Sequence, residues 1–425
     1  MDILFIAPAF QPYCAVAATR PAAFARYLIA QGHSLRVLAA YNTRYPAITW
    51  PGIDQGLITY VPMWSAQDVV KKIRAPFKRK QAASNSTQAA ASLPTKTSPF
   101  KAQLYDTFDY LANYPDSYMG WIGNAKKAGE GLIKARRPEL IFSTAPPHSA
   151  NVVAAHLAQR FSVSWVAEYR DLWMDHPYHI PGKVRAFFEN RLEARSMAPA
   201  KALVAVSEDA RSRMAERFQK PAILSYNGYE PSWFDSESVE PPTDGRLTIL
   251  YAGSVYVRTR TPGLLFQALQ KLSLSPDDVV VRFYTSTPGP IQAMAERYGI
   301  TDLVDICLPI PNEEVLKQQQ SADVLLLMRW EDPREDGVIP GKVFEYIGAK
   351  RPILSVGSTR GEVADILSGR PDTVLSADPQ TIVSAIQDWH ERRKAGPLAD
   401  VDWGQRERYE RTAQFQKIEA LLKDL

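Results

Sequence analysis

Short apolar runs alternate along the chain with segments whose apolar residues recur every three or four positions. This is the pattern of parallel α/β sheets, whose strands are buried on both faces. Residues 2–7 read as the first strand, and Phe24 and Leu28 mark the apolar face of a helix that Thr19 caps and Gly32 ends. Residues 35–39 are a second strand. Strand 139–143, helix 148–160, strand 163–168, a helix near 183–197, strand 202–206, helix 208–218 and a short strand at 222–225 follow. Asn227-Gly228 then turns the chain. Beyond an Asp-, Ser-, Glu- and Pro-rich stretch at 236–246, a second set begins at Leu247–Gly253. It continues through strands 279–284, 304–308, 323–328 and 353–356 with helices between, and 403–425 reads as an amphipathic helix.

Two alternating sets separated by a linker predict an α/β protein of two doubly wound, Rossmann-like domains, 1–235 and 247–400, joined by residues 236–246. A length of 425 residues exceeds what one core organises. The apolar and charged fractions, 45% and 23%, are those of a globular protein, and a net charge of +4 is too small to argue for nucleic acid. Cys14 and Cys307 offer neither a disulfide framework nor zinc spacing, which fits a reducing compartment. No basic leader precedes the first strand, and no apolar run reaches the roughly 18 residues that span a bilayer, so a cytoplasmic protein is expected.

Residues 64–104 break the alternation. Val69–Lys80 is strongly basic with apolar side chains at Val69, Val70, Ile73 and Phe77, and an Ala/Ser/Thr/Gln tract follows. This insertion reads either as a peripheral contact with anionic lipid through residues 69–80 or as a solvated surface loop.

The richest stretch for chemistry is Gly337–Leu354. The apolar run 322–328 ends in a polar loop, and Pro340 and Gly341 open a helix whose apolar face is Val343, Phe344 and Ile347. Strand, loop and helix N-terminus form the place where open α/β sheets bind anions, through free backbone N–H groups and the helix dipole. Lys342 and Glu345 project from one side of the first turn. A carboxylate there suits sugar hydroxyls better than phosphate, so the pocket expected is one for a nucleoside diphosphate with its ribose on Glu345. Asp171, Asp175, His176 and His179 lie close in sequence but without ligand spacing, and no metal is expected. The chain has no G-x-G-x-x-G after a strand, no Walker pattern and no G-x-S-x-G elbow.

The Gly337–Leu354 stretch resembles the donor-binding segment of the retaining family-4 glycosyltransferases, enzymes of the two-domain GT-B fold. The resemblance implies two domains facing across a cleft, with residues 401–425 crossing back to the first. It also implies a nucleotide-sugar donor held by the ribose on Glu345 and by the helix N-terminus on the diphosphate, with Ile339 and Gly341 among the donor-binding residues and main-chain groups at Val338 and Ile339 able to stand in for a missing carboxylate. Tyr251–Arg260, with Gly253 and Ser254 at its strand end, resembles the family loop that carries a phosphate-binding Arg and, five residues on, a Lys. Arg258 or Arg260 fills the Arg role, with Arg260 nearer the following helix, and no Lys follows at that spacing. The family's two carboxylates stand eight apart, and Gly337 occupies the position of the first. A Gly-Gly pair is also absent after the first strand, where Gln11–Pro21 stands.

Ser143–Ser149 and Trp165–Trp173 resemble the bacterial surface-polysaccharide branch of the family. Arg170 and Asp171 become candidates for acceptor or transferred sugar, and His148 is either a cap neighbour or a catalytic group. The function implied is transfer of a sugar, with retention, from a nucleoside diphosphate-sugar to the hydroxyl of a glycan or lipid-linked glycan at the inner face of the plasma membrane. Arg260, Lys342 and Asp171 would carry the catalysis, with no cofactor. A non-catalytic GT-B-like binding protein and a nucleotide-sugar epimerase or hydrolase are the alternatives.

Overall fold

The computed structural model describes residues 1–12, 16–42, 52–64, 113–234, 244–256 and 259–425. Arg258 and the basic run 69–80 lie outside the described residues. The chain divides into two compact units. Met1–Val206, Ala210–Leu224 and Ile418–Leu425 make the first, and Ser207–Asp209 with Ser225–Lys417 the second.

The first unit holds strands β1 (Asp2–Ile6), β2 (Ser34–Tyr41), β3 (Ile58–Pro62), β4 (Leu140–Ala145), β5 (Ser164–Tyr169), β6 (Ala202–Ala205) and β7 (Ala222–Leu224). They pair in the order β3-β2-β1-β4-β5-β6-β7, and every pairing is parallel. All residues of β1, β4 and β6 are buried, which is why these strands read as continuous apolar runs. Strand order reverses between β1 and β4, where Ile6 pairs with Ser143. The segments that follow these two residues therefore flank the crevice in which doubly wound sheets bind ligands.

Helices α1 (Val16–Ala30), α2 (Met119–Ala135), α3 (Ser149–Phe161), α4 (Lys183–Met197) and α5 (Glu208–Phe218) connect the strands. Thr19 does not cap α1, because the helix already begins at Val16 and Thr19 sits in its first turn. The helix stops as expected at Gly32, which takes a φ of +80° that other residues rarely adopt.

The second unit repeats the plan with β8 (Leu247–Ala252), β9 (Val279–Tyr284), β10 (Val304–Cys307), β11 (Val324–Met328), β12 (Ile353–Val356) and β13 (Thr373–Ser376), in the order β10-β9-β8-β11-β12-β13. Its switch point lies between β8 and β11. Helices α6 (Gly263–Gln270), α7 (Pro288–Tyr298), α8 (Asn312–Ser321), α9 (Lys342–Ala349), α10 (Glu362–Leu367) and α11 (Pro379–Ala395) accompany the sheet. Val343, Phe344 and Ile347 of α9 are fully buried, as the helix pattern predicts.

The C-terminal helix is shorter than the 403–425 expected: a 3-10 turn at Arg406–Tyr409 precedes α12 (Arg411–Lys423). Glu410 is extended because the backbone there pairs with Tyr229, whose N–H donates to Tyr409 O and whose carbonyl accepts from Arg411 N. No described helix is long and apolar enough to cross a membrane.

Candidate functional site

At the switch point of the second unit, β8 ends in Gly253, whose φ of +143° is left-handed territory. A Cβ built on it would lie 2.7 Å from Lys342 Nζ and 3.4 Å from the Tyr251 hydroxyl. The missing side chain is therefore what admits Lys342 to this corner. Its ammonium stands 5.3 Å from the Tyr251 ring centroid, over the ring face. Tyr251 is held in place by its hydroxyl, which donates to the Ser254 carbonyl at 2.9 Å. Burial pushes that phenol up to about 12, so it stays neutral. Burial also lowers the Lys342 pKa, with Arg260 adding to the effect and Glu345 opposing it. Among the described residues Lys342 Nζ makes no ion pair and no hydrogen bond.

Lys342 is the first residue of α9. Gly341 before it is helical, with no side-chain cap, so the N-terminal N–H groups of α9 are not covered by a capping side chain. Gly341 itself is exposed, and a Cβ there would meet nothing within 4 Å, so its backbone rather than tight packing is what the site uses. Ile339 is half-buried and packs against the cluster that contains Val343 and Phe344. One turn into α9, the Glu345 carboxylate accepts a hydrogen bond from Gln319 Nε2 at 3.1 Å. Gln319 is fully buried on α8 and fixes the rotamer of Glu345.

Arg260 is less available than the sequence implies. Its Nη2 lies 2.5 Å from Glu335 Oε1, and Glu335 is buried. Burial pushes the Glu335 carboxyl up to about 7, with the Trp330 N–H opposing, and lowers the Arg260 pKa as well. Glu335 is thus the member of the site that sequence spacing missed: it is out of register with the expected carboxylate, yet it reaches Arg260. Gly337, in the expected register, has no room for a side chain, because a Cβ there would run into the Asp209 carboxylate, which belongs to the same unit. Arg329, just past β11, is also buried, but its Nη1 serves the carbonyls of Ser358 and Arg360 at 2.9 and 2.8 Å.

In the first unit, the residues past β4 and β5 gather at the switch point. Pro21 lies inside α1 and has no N–H for the Ala17 carbonyl four residues earlier. Arg170 Nη1 donates to that carbonyl at 2.6 Å, and its Nη2 donates to Pro146 O. The guanidinium thus repairs the helix and ties it to the loop after β4. Beneath it, buried Glu168 accepts from Arg20 Nε at 3.0 Å and from the Thr144 hydroxyl at 2.6 Å.

His148 is buried and stacks on Trp173, with ring centroids 4.7 Å apart and planes 12° from parallel. Burial, His176, His179 and Arg170 together push its pKa down to about 3, so the imidazole is neutral. The cap position of α3 is served by Asp116 instead, which accepts from Ser149 N and the Ser149 hydroxyl at 2.8 and 2.6 Å. Asp171 is half exposed, 4.0 Å from His176 Nε2. Two further groups face inward without a hydrogen-bond partner: the Gln11 amide, fully buried just past β1, and the Trp173 indole N–H. Of Asp171, Asp175, His176 and His179, His179 pairs with Glu189 and Asp175 with Arg217, and no metal-binding cluster occurs among the described residues.

The two units thus repeat one architecture, each with its polar groups at a switch point. Residues 17–228 match the glycosyl transferase 4-like domain. The whole chain has the GT-B fold of two parallel sheets. Sucrose-phosphate synthase from Thermosynechococcus elongatus superposes with a TM-score of 0.59 at 13% identity, covering 100% of this chain and 98% of that one. HepE from Anabaena, solved with UDP-glucose, gives 0.56 at 13% identity, with both chains covered in full. The UDP-GlcNAc 2-epimerase of Methanocaldococcus jannaschii gives 0.52 at 9%, again with both chains fully covered. Among curated proteins no sequence matches. At these identities the likeness establishes the fold, and the glycosyl transferase 4-like match lies on the first unit together with the opening residues of the second.

Proposed function

We propose that the protein is a glycosyltransferase that moves a sugar from a nucleoside diphosphate-sugar to an acceptor hydroxyl with retention of configuration, in the assembly of a surface polysaccharide. The observation that carries this reading is Lys342: a half-buried ammonium without an ion-pair partner, set over Tyr251 at a switch point and at an uncapped helix N-terminus. Such a group is placed to receive the charge that develops on a departing diphosphate. The backbone of Gly253, Ser254, Ile339 and Gly341 lies alongside. Glu345, fixed by Gln319, accepts hydrogen bonds from the ribose hydroxyls. Arg260 acts through the N–H groups that its pair with Glu335 leaves over, and Arg258 is the second candidate for the same role. No metal is required by this arrangement.

In the first unit the half-exposed Asp171 receives a sugar hydroxyl, with His148 and Trp173 as an apolar wall. Arg170 positions the loop after β4 rather than touching the sugar. The acceptor is a glycan, lipid-linked at the inner face of the plasma membrane, and the basic run 69–80 contributes to that address. A second reading is favoured by Gly337 and by the pairing of Arg260: a protein that binds or epimerises the donor without transferring it.

Thermal unfolding against a panel of nucleoside diphosphates and their sugars tests the reading. A ligand at 100 times its dissociation constant adds about 2.7 kcal/mol, a rise of roughly 5 °C or more for domains of this size. The rise is expected for one base and lost in Glu345→Ala. A panel with no rise would overturn the donor site. A rise with turnover of the donor but no transferred product would favour the second reading.

A further inference from the structure

Helix α4 turns Leu192 and Met197 to the core but exposes the apolar side chains of its first half and buries its carboxylates. Its only two carboxylates, Glu189 and Glu193, are buried, while Val184, Phe187 and Phe188 stand in solvent at 74%, 63% and 54% exposure. The inward side explains how this is tolerated. Glu189 accepts from Arg185 Nε at 2.6 Å and pairs with His179, and Glu193 pairs with Arg217 at 2.7 Å. Buried carboxylates with cationic partners are a costly way to seat a helix when phenylalanines of the same helix are available. Among the described residues the outward side has no such account.

The outward side has a definite pattern. Val184, Phe187 with Phe188, Arg191 and Arg195 follow one another at helical spacing, with Lys183 beside them and Ile180 (77% exposed) in the loop just before the helix. The exposed positions of α4 carry three cations and no anion. On the helix the apolar part runs from Val184 to Phe188, roughly one turn or about 6 Å, on a helix about 10 Å wide. That is small against the roughly 800 Å² per partner of a stable protein interface. It suits shallow insertion of an interfacial helix, with Phe side chains below the headgroups and Lys or Arg among them. Asn113 and Tyr114 also meet this helix: the Asn113 carbonyl accepts from Arg185 Nη2 at 2.8 Å and the Tyr114 hydroxyl donates to Phe188 O at 2.9 Å.

We propose that Ile180, Val184, Phe187 and Phe188, with Lys183, Arg191 and Arg195, form a docking face for an anionic lipid surface. The four apolar side chains enter the interface and the three cations meet the phosphate of the headgroups. This proposal does not depend on the glycosyltransferase reading, since lipid binding needs no donor.

The test is co-sedimentation of the full chain with vesicles of phosphatidylcholine, alone and with phosphatidylglycerol. The wild type should partition onto the anionic vesicles. Phe187→Ser/Phe188→Ser should weaken this by about tenfold or more. Arg191→Gln/Arg195→Gln should weaken it by roughly thirtyfold on anionic vesicles and leave neutral ones unaffected. All seven side chains are exposed or on a loop, so unchanged thermal midpoints are expected and serve as the folding control. Three results would overturn the proposal. One is a wild type that stays in the supernatant with both vesicles. Another is variants that bind as the wild type does while a deletion of residues 66–98 does not, which would assign lipid contact to that segment. The third is a wild-type dimer that dissociates in the Phe double variant without change in lipid binding, which would make the face a protein interface.

Discussion

At Gly253 a missing Cβ decides what Lys342 reaches, since any larger residue would meet the ammonium at 2.7 Å and would have to hold a φ of +143°. Gly253→Ala is expected to cost about 1–3 kcal/mol of stability from the backbone alone, and to weaken nucleoside diphosphate binding by at least tenfold as Lys342 is displaced. Isothermal titration of the folded variant checks this, and unchanged affinity would separate Lys342 from the diphosphate. Residues of this kind were legible in part. Lys342 and Glu345 announce themselves by their place after an apolar strand and a Pro-Gly helix start. Glu335 and Gln319 do not, because each acts on a residue far off in sequence, 75 and 26 positions away. Arg170 is a sharper case. Its position past a strand end pointed to a ligand, but the carbonyl that Pro21 leaves without a donor takes the guanidinium. No local pattern links residue 17 to residue 170.

Among the elements, α4 breaks the usual rule in its first half, where Val184, Phe187 and Phe188 are exposed, and its buried Glu193 leaves a pH signature. Burial pushes Glu193 up to about 7 from an ordinary value of 4.5, against the opposing charge of Arg217. The folded state therefore holds this proton more tightly than the unfolded chain. The stability it contributes is complete below about pH 4.5 and is lost as the pH rises through about 7. Urea unfolding across that range should show a downward slope that Glu193→Gln reduces; an identical slope in the variant would mean that Glu193 does not titrate there. Helix α2 is the converse lesson. Four glycines between Gly120 and Gly131 hide it from a propensity reading. Two of them are explained by packing: a Cβ on Gly129 would come within 2.5 Å of Leu157, and one on Gly120 would strike the Trp64 carbonyl. Strands such as β1, β11 and β12 were legible because a strand buried on both faces needs an unbroken apolar run. The short, half-buried β13 offers no such run.

At the scale of the whole molecule, the last residues return to the first unit. Ile418 and Leu422 are buried, and Glu419 accepts from the Tyr27 hydroxyl at 2.6 Å and bonds His33 Nε2 at 3.0 Å. Burial alone would raise the Glu419 pKa, but bonds from Lys423, Tyr27 and His33 overcome it and pull the carboxyl down to about 2. Deleting Ile418–Leu425 removes two buried aliphatic side chains and leaves Tyr27 and His33 without this partner. A loss of about 4 kcal/mol or more is expected, read as a lower first transition in calorimetry; an unmoved transition would show that the segment adds nothing to the first unit.

Two parallel α/β units and the helix start that carries Lys342 and Glu345 can be read from the order of apolar runs and periodic segments, because they rest on contacts near in sequence and on the period of each element. Which charges are already paired depends on the folded arrangement. Arg260 on Glu335, Arg170 on a carbonyl of α1 and the two carboxylates of α4 on arginines and a histidine are pairings between distant segments. Electrostatic energy depends on separation in space and on burial, and neither is written in the spacing of residues along the chain.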